Sequence, residues 1–526
     1  MLSKVLSVVL LMCIVLYVLA IKTYMLWPKG KNSKLEGRGI WLTPSYILFS
    51  PEDVIEAVDR IADSGFNTIF LEVNMGDGQA EYHSNLLKVY EKYKDFDPAE
   101  ITIKRAKERG IEVHAYIHAL CNSSLIEQHL EVAMTRKNKD GKLLRLKDGT
   151  TKSITNVNSD RSTHYLSLYT PELRETTRTN AFGTEVVVED NIVKRIIVGH
   201  GDADVPKNGY VLSGNGEAKA WLEQNIKVGD VLSIEDDPKS VIWDAEWIEP
   251  AHPYVIEYYE KMIEELLTKY DFDGIHLDNV RYPPTTLLVN KILNNSLDQY
   301  NPSYSTDVYG YSNINRDRFK REYGVDPIDI SVKDEKMFKA WMKFRQDNIT
   351  NLVTRLASKA RSIKKDVIVS AALNSRCAYN NWDTVYSGVD YESLSYPLDV
   401  IVPMAYHTDS ADVSVLFPED ELMWIDHVIK GALDKIGNRA LLYVGIGGEN
   451  HKRLTKEVWN RAIEITRDGG ADGTVAFEYW VMGYLVKDKT NFDYLKQNVY
   501  KEEAKPTHSN KTIMGRVRAY KEKGSQ

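Results

Sequence analysis

From Arg38 onward, short apolar runs alternate with stretches in which apolar residues recur at helical spacing, as parallel βα units require. Eight runs have strand character. They are RGIWLTP at 38–44, NTIFLEVN at 67–74, EVHAYIHAL at 112–120 and GIHLDNVRYP at 274–283, then VIVSAALN at 367–374, DVIVPMAYH at 399–407, ALLYVGIGG at 440–448 and GTVAFEYWV at 473–481. Helical repeats fall among them, starting at Pro51, Ala99, Glu335 and Lys456. The pattern predicts an α/β fold, a (β/α)8 TIM barrel. An open doubly wound sheet usually has fewer strands, and the G-x-G-x-x-G expected after its first strand is missing.

Two interruptions break the alternation. About 150 residues separate the third and fourth strands, far more than a βα connection uses. Their alternating, turn-rich pattern predicts a β-rich insertion between strands 3 and 4. Gly199-His200-Gly201 and Gly214-Asn215-Gly216 read there as turns, because no strand–loop–helix context makes them a phosphate loop. The second interruption, 284–334, is rich in Tyr, Asn, Ser and Asp and is expected to form a lid or cleft wall. The expected organisation is a leader at 1–30, barrel strands 1–3 at 37–130 and the inserted module at 131–250. Barrel strands 4–8 follow at 251–495, and a mobile basic tail at 496–526.

The leader carries its own signal. Val5 to Ile21 is a run of seventeen residues without a charge, which just reaches membrane-spanning length. Tyr17, Tyr24 and Trp27 suit the bilayer interfaces. The reading is a single-pass N-terminal anchor in the cell membrane with the barrel outside; secretion after signal cleavage is the alternative. Lys22, Lys29, Lys31 and Lys34 follow the apolar run and pull the other way, since positive flanks favour the cytoplasm.

Composition narrows the function. Of 526 residues 43% are hydrophobic and 27% charged, which excludes wholesale disorder and a polytopic membrane protein. The 67 basic and 75 acidic residues give a net charge of −8, so a broad nucleic-acid surface is not expected. Cys13, Cys121 and Cys377 are too few for a disulfide scaffold. The 31 tyrosines and 10 tryptophans suit contact with sugars.

Alternation along each strand separates inward from outward side chains. Phe70, Glu72 and Asn74 are expected inside on the second strand; His114, Tyr116 and His118 on the third; and His276 and Asp278 on the fourth. Ser370 and Asn374 follow on the fifth, and Ala476, Glu478 and Trp480 on the eighth. Polar residues thus gather at the C-terminal strand ends, the active face of a TIM barrel. Asp278 is the foremost candidate, because Arg281 close behind it would hold its carboxylate ionised, as a nucleophile or charge stabiliser requires. The competing reading makes His114 and His276 hydrogen-bonded core residues and Glu72 the partner of a neighbouring base.

Other chemistries fit less well. His114 and His118 lie four residues apart on one strand, about 13 Å, too far to share a zinc ion. Neither H-E-x-x-H nor a G-x-S-x-G elbow occurs. No metal and no cofactor are expected.

With the strands in place, the sequence resembles the glycosyl-hydrolase-like family 10, cell-envelope TIM-barrel proteins. The matching segments are RGIWLTPS at 38–45, NTIFLEVN at 67–74, RGIEVHAYI at 109–117, FDGIHLDNVRYP at 272–283, PLDVIVPMAYH at 397–407 and GADGTVAFEYW at 470–480. The resemblance implies a carbohydrate-active barrel with Asp278 at the catalytic rim. Family-18 chitinases carry D-G-x-D-x-D-x-E on the corresponding strand. Here Asp273, Gly274 and Asp278 match, but His276 replaces an Asp and Val280 stands where the acid Glu would be. Their mechanism therefore does not transfer, and the acid must come from another strand: Glu478 first, Glu72 second, Glu449 third. The segment PKNGYVLSGNGEAKAWL at 206–222 also looks like one found in phosphodiester-glycosidase proteins.

The expected activity is hydrolysis of glycosidic bonds in an envelope or environmental polysaccharide. Asn74, His114, Tyr116, His118, His276, Arg281, Asn374, His407 and Glu449 would line the substrate, and Tyr282, Tyr406 and Trp480 would stack on sugar rings. The rival expectation is a non-catalytic glycan-binding or envelope scaffold protein on the same barrel.

Overall fold

The structure, a computed structural model, describes residues 34–138, 141–154, 166–171, 183–199, 203–283, 308–407, 413, 417–448, 454–483 and 490–524. Eight parallel strands pair in sequence order and close on themselves. They are β1 (Gly37–Leu42), β2 (Thr68–Asn74), β3 (Glu112–His118), β4 (Gly274–Asp278), β5 (Ile368–Leu373), β6 (Val400–Pro403), β7 (Leu441–Gly447) and β8 (Gly473–Phe477). The expected TIM barrel is the observed fold. Several strands stop earlier than their apolar runs; β4 ends at Asp278 because Asn279 takes a left-handed φ of 55° and leaves the ladder.

Helices cover the outside for reasons legible in the chain. Between β1 and β2, helix Pro51–Asp63 starts with Ser50 accepting a hydrogen bond from the Asp53 amide and with Pro51 in its first turn. It buries Val54, Val58 and Ile61 against the outward side chains of the sheet, at about 1.5–3 kcal/mol for each large side chain. Helix Pro98–Arg109, capped by Asp97 and closed by the left-handed Gly110, does the same between β2 and β3.

Inside, large rings are admitted where the facing strand carries glycine. A Cβ on Gly37 would lie 2.2 Å from the Tyr443 ring, and one on Gly274 would lie 2.5 Å from His114. Trp41, Phe70, Val402, Tyr443 and Val475 fill the interior, so the barrel is packed rather than hollow.

Among the described residues, three small antiparallel sheets lie between β3 and β4. Ala133–Lys137 pairs with Val241–Ile248; Lys142–Leu146 sits between Leu232–Asp236 and Thr151–Ile154. A four-stranded sheet runs Ile192–Val198, Thr184–Glu189, Gly209–Gly214, Leu166–Tyr169. Cys121 and Cys377 are both free.

The C-terminal segment corrects an expectation. Instead of a mobile tail, Ala504–Lys505 runs parallel to Lys34–Leu35, and helix Lys511–Gly524 buries Met514 and Val517 with the interior side chains of the barrel. Its weak apolar pattern hid this, because only one face meets the barrel floor. Among the described residues no helix is long and apolar enough to cross a membrane. The leader run from Val5 to Ile21 lies outside the described residues, as does the first part of the predicted lid, 284–307.

Candidate active site

The register of β3 beside β4 stacks their inward side chains in layers. Gly274 pairs with His114, His276 with Tyr116, and Asp278 with His118. The uppermost layer lies at the C-terminal rim, where both strands end. Glu72 of β2 is in register with Tyr116 and so enters the same region from the other side.

At that rim His118 pairs with Glu72 and lies within electrostatic reach of Asp278 and Glu478. Its Nε2 is 3.4 Å from Glu72 Oε2, and its Nδ1 is 2.7 Å from the side-chain nitrogen Nδ2 of Asn279. Burial of the ring works against its charge, yet Glu72 first, with Asp278 and Glu478 adding to it, raises the imidazole above its ordinary pKa. Asp278 is half-buried: Oδ2 accepts a hydrogen bond from the Tyr116 hydroxyl at 2.8 Å, and Oδ1 accepts one from the Asn279 amide at 2.6 Å. Burial, then the charge of Asp278, pushes the Tyr116 phenol well up, so it stays a donor. Glu478, just beyond β8, is buried and its Oε2 accepts the Thr43 hydroxyl at 2.6 Å.

Aromatic rings flank these groups. The half-buried Tyr406 packs on Phe477 with centroids 4.4 Å apart and meets Trp41 edge-on at 6.0 Å. Trp480 lies 5.6 Å from Tyr46, a residue 61% exposed. Fixed anionic oxygens beside partly open aromatic faces can hold a sugar ring and oppose positive charge developing on it.

Several expected ligands are placed elsewhere. His276 is fully buried, its Nε2 accepting from Trp41 Nε1 at 3.1 Å and its Nδ1 2.9 Å from Ser370 Oγ; burial and the nearby His114 lower its pKa well below the usual value. It is a neutral core histidine, as the competing reading held. His114 is buried a layer deeper still. The Asn74 amide is used on the backbone of His118, accepting at 3.1 Å and donating at 3.4 Å, so it braces the strand ends. Asn374 caps the turn Ser375–Ala378. Tyr282 is fully buried beneath the Arg345 guanidinium, and His407 is buried as well.

Arg281 corrects the electrostatic argument for Asp278. It turns away, its guanidinium 4.9 Å over the Trp247 ring and one nitrogen 3.3 Å from Asn279 Oδ1. Tyr116 and the Asn279 amide fix Asp278 instead. The predicted facing of β8 is inverted too: Val475 packs inside and Ala476 outside. Glu478 reaches the rim because it follows the last strand residue, where alternation no longer applies. Glu449 lies outside the described residues.

Two residues of the site escaped sequence reasoning. Thr43 is the inward position after Trp41 and was within reach of the alternation argument. Glu81 was not, since it sits in a loop that folds back so that its amide donates to the Val73 carbonyl at 2.8 Å. It is 1% exposed, and burial first, then the charge of Glu72, holds its carboxyl well above the usual range.

The barrel is similar to several solved carbohydrate-active structures. The PgaB (BpsB) glycoside hydrolase domain from Bordetella bronchiseptica shares 13% identity over 88% of this chain and 99% of its own, with a TM-score of 0.48. The β-amylase catalytic domain from Paenibacillus polymyxa shares 11% over 90% and 100%, with a TM-score of 0.47. The endo-β-1,4-mannanase from Thermotoga petrophila shares 10% over 94% and 77%, with a TM-score of 0.39. No curated protein sequence matches the chain significantly. Residues 235–436, which hold β4 to β6 and Asp278, match the profile of the family Glycosyl hydrolase-like 10, the family that the strand motifs resemble.

Proposed function

We propose that this protein hydrolyses glycosidic bonds of a polysaccharide at the C-terminal rim of its barrel. The observation that carries the reading is that Glu72 lies 3.4 Å from the His118 imidazole, while Asp278, at the end of β4, and Glu478, just past β8, add to the electrostatic stabilisation of that same ring. Buried carboxylates are costly unless they are paired or used, and two buried ones with a half-buried third at one rim exceed what one histidine needs for folding. Asp278, fixed by Tyr116 and the Asn279 amide, is assigned as nucleophile or as stabiliser of the oxocarbenium-like transition state. Glu478 is assigned as general acid and base, with the Glu72–His118 pair holding the charge balance of the rim. Tyr406 and Trp480 supply stacking faces.

The test is digestion of a panel of envelope and environmental polysaccharides by the full chain, wild type against Asp278→Asn. The substitution keeps the shape and removes the charge. Turnover is expected to fall by about three orders of magnitude or more. Because Arg281 does not rely on Asp278, the melting temperature is expected to drop by no more than about 2 °C. Undiminished turnover in the folded variant overturns the assignment; glycan binding without turnover in the wild type establishes the scaffold alternative.

For location, the leader motivates a further part of the proposal: a single-pass anchor with the barrel outside the cell membrane. The protein should sediment with membranes and resist salt extraction, and protease added to intact cells should cleave the barrel. Full protection from that protease would place the barrel inside.

A further inference from the structure

The opposite end of the barrel carries a cluster that glycan chemistry does not use. Glu112 opens β3, His114 follows two residues later on the same inward face, and His508 arrives on the C-terminal turn Thr507–Ser509. His508 Nε2 lies 2.6 Å from Glu112 Oε2, and His114 Nε2 lies 3.7 Å from that same oxygen. One ligand atom from each of the three residues lies within 4.8 Å of the others. Neither ring nitrogen of His114 makes a hydrogen bond among the described residues, although the residue is wholly buried. A buried imidazole in that state is costly, and a cation at its Nε2 would remove the cost.

The surroundings suit a metal ion. The Tyr443 hydroxyl is 2.9 Å from His508 Nδ1 and can accept its proton, which leaves the Nε2 lone pair facing the cluster. Gly274 leaves room for the His114 ring. A cavity of about 420 Å³ adjoins the cluster, lined by Glu112 and His508 with Asp273 and Asp366, and gives water a route to a remaining coordination position. Two imidazoles and one carboxylate are a donor set that zinc accepts, with water as fourth ligand.

We propose that Glu112, His114 and His508 bind a zinc ion at the N-terminal end of the barrel, tying the C-terminal segment to β3. The ion lies at the end of the barrel away from the candidate active site, so its role is to hold the floor closed, and the proposal stands whether or not the rim hydrolyses glycans. Only His508 comes from outside the barrel strands, which makes it the ligand to change with least damage to the core.

The test uses the full chain in detergent, stripped with a chelator and then titrated with Zn(II), alongside Co(II) as a spectroscopic probe. The expected result is one zinc per chain and the intense visible bands of four-coordinate Co(II). His508→Gln and Glu112→Gln should weaken binding by more than about 100-fold, and Tyr443→Phe by about 10-fold, while circular dichroism stays native. Zinc should also slow proteolysis at 504–524 in the wild type and not in His508→Gln. Sub-stoichiometric zinc in the wild type, or His508→Gln binding as tightly as wild type, overturns the site. Should a variant fail to fold, the wild-type stoichiometry and Co(II) spectrum decide alone: absence of either refutes the proposal.

Discussion

Replacing Glu72 by Gln removes the negative partner of His118 and keeps the shape of the side chain. Glu72 Oε2 and His118 Nε2 are 3.4 Å apart, and the two side chains are 8% and 16% exposed. Unit charges at that distance attract by about 5 kcal/mol at an effective dielectric constant of 20. Desolvation offsets most of this, leaving about 1.5–3 kcal/mol, the worth of a charge-assisted hydrogen bond. The pH dependence follows from His118. Its folded pKa is raised, burial opposing and Glu72 leading the groups that favour the charge. Such a group contributes fully below its unfolded value of about 6.5 and loses that contribution as pH rises through the folded value.

Glu81 acts in the same direction. Its carboxyl is held up by burial and by Glu72, so its ionisation at alkaline pH destabilises the wild type, and removing Glu72 relieves part of that strain. The stability deficit of Glu72→Gln is therefore expected to be about 1.5–3 kcal/mol near pH 5.5 and to be smaller near pH 8.5. Urea unfolding at both pH values, followed by tryptophan fluorescence with m-values compared, measures it. A deficit that is equal at the two pH values, or larger at the alkaline one, refutes the charged Glu72–His118 pair.

Three further substitutions probe the same layers. Tyr116→Phe removes the 2.8 Å donor to Asp278 and should lower kcat about 10- to 100-fold with KM nearly constant; unchanged kcat would show that the phenol only packs. Thr43→Val leaves the buried Glu478 without its 2.6 Å donor and should cost about 1–3 kcal/mol in denaturant unfolding, whereas no loss would mean that another group replaces it. Gly274→Ala drives a methyl to 2.5 Å from His114 and should destabilise by about 1–3 kcal/mol or more; an unaltered unfolding midpoint would mean that His114 moves aside freely.

The barrel was legible in the chain, because its signal is local and repeated. Eight apolar runs separated by helical periodicity admit few architectures, and strand alternation correctly sent Glu72, Tyr116, His118 and Asp278 inward. Alternation holds only while the backbone stays extended, so it misjudged β8, where Val475 rather than Ala476 faces the interior. Depth along the barrel axis was decided by the tertiary structure alone. His114, His276 and His118 share an inward parity, but register puts the first two in the core and the third at the rim. Which charge meets which was likewise a tertiary matter. Arg281 follows Asp278 closely in the chain yet stacks on Trp247, and Glu81 reaches Glu72 only because its loop folds back onto β2. The C-terminal segment had no legible place, since the surface that His508, Met514 and Val517 meet exists only after eight strands have closed. Periodicity is written in neighbouring residues, whereas pairings such as Glu112 with His508 form only once the chain has folded and paid the entropy of closing long loops.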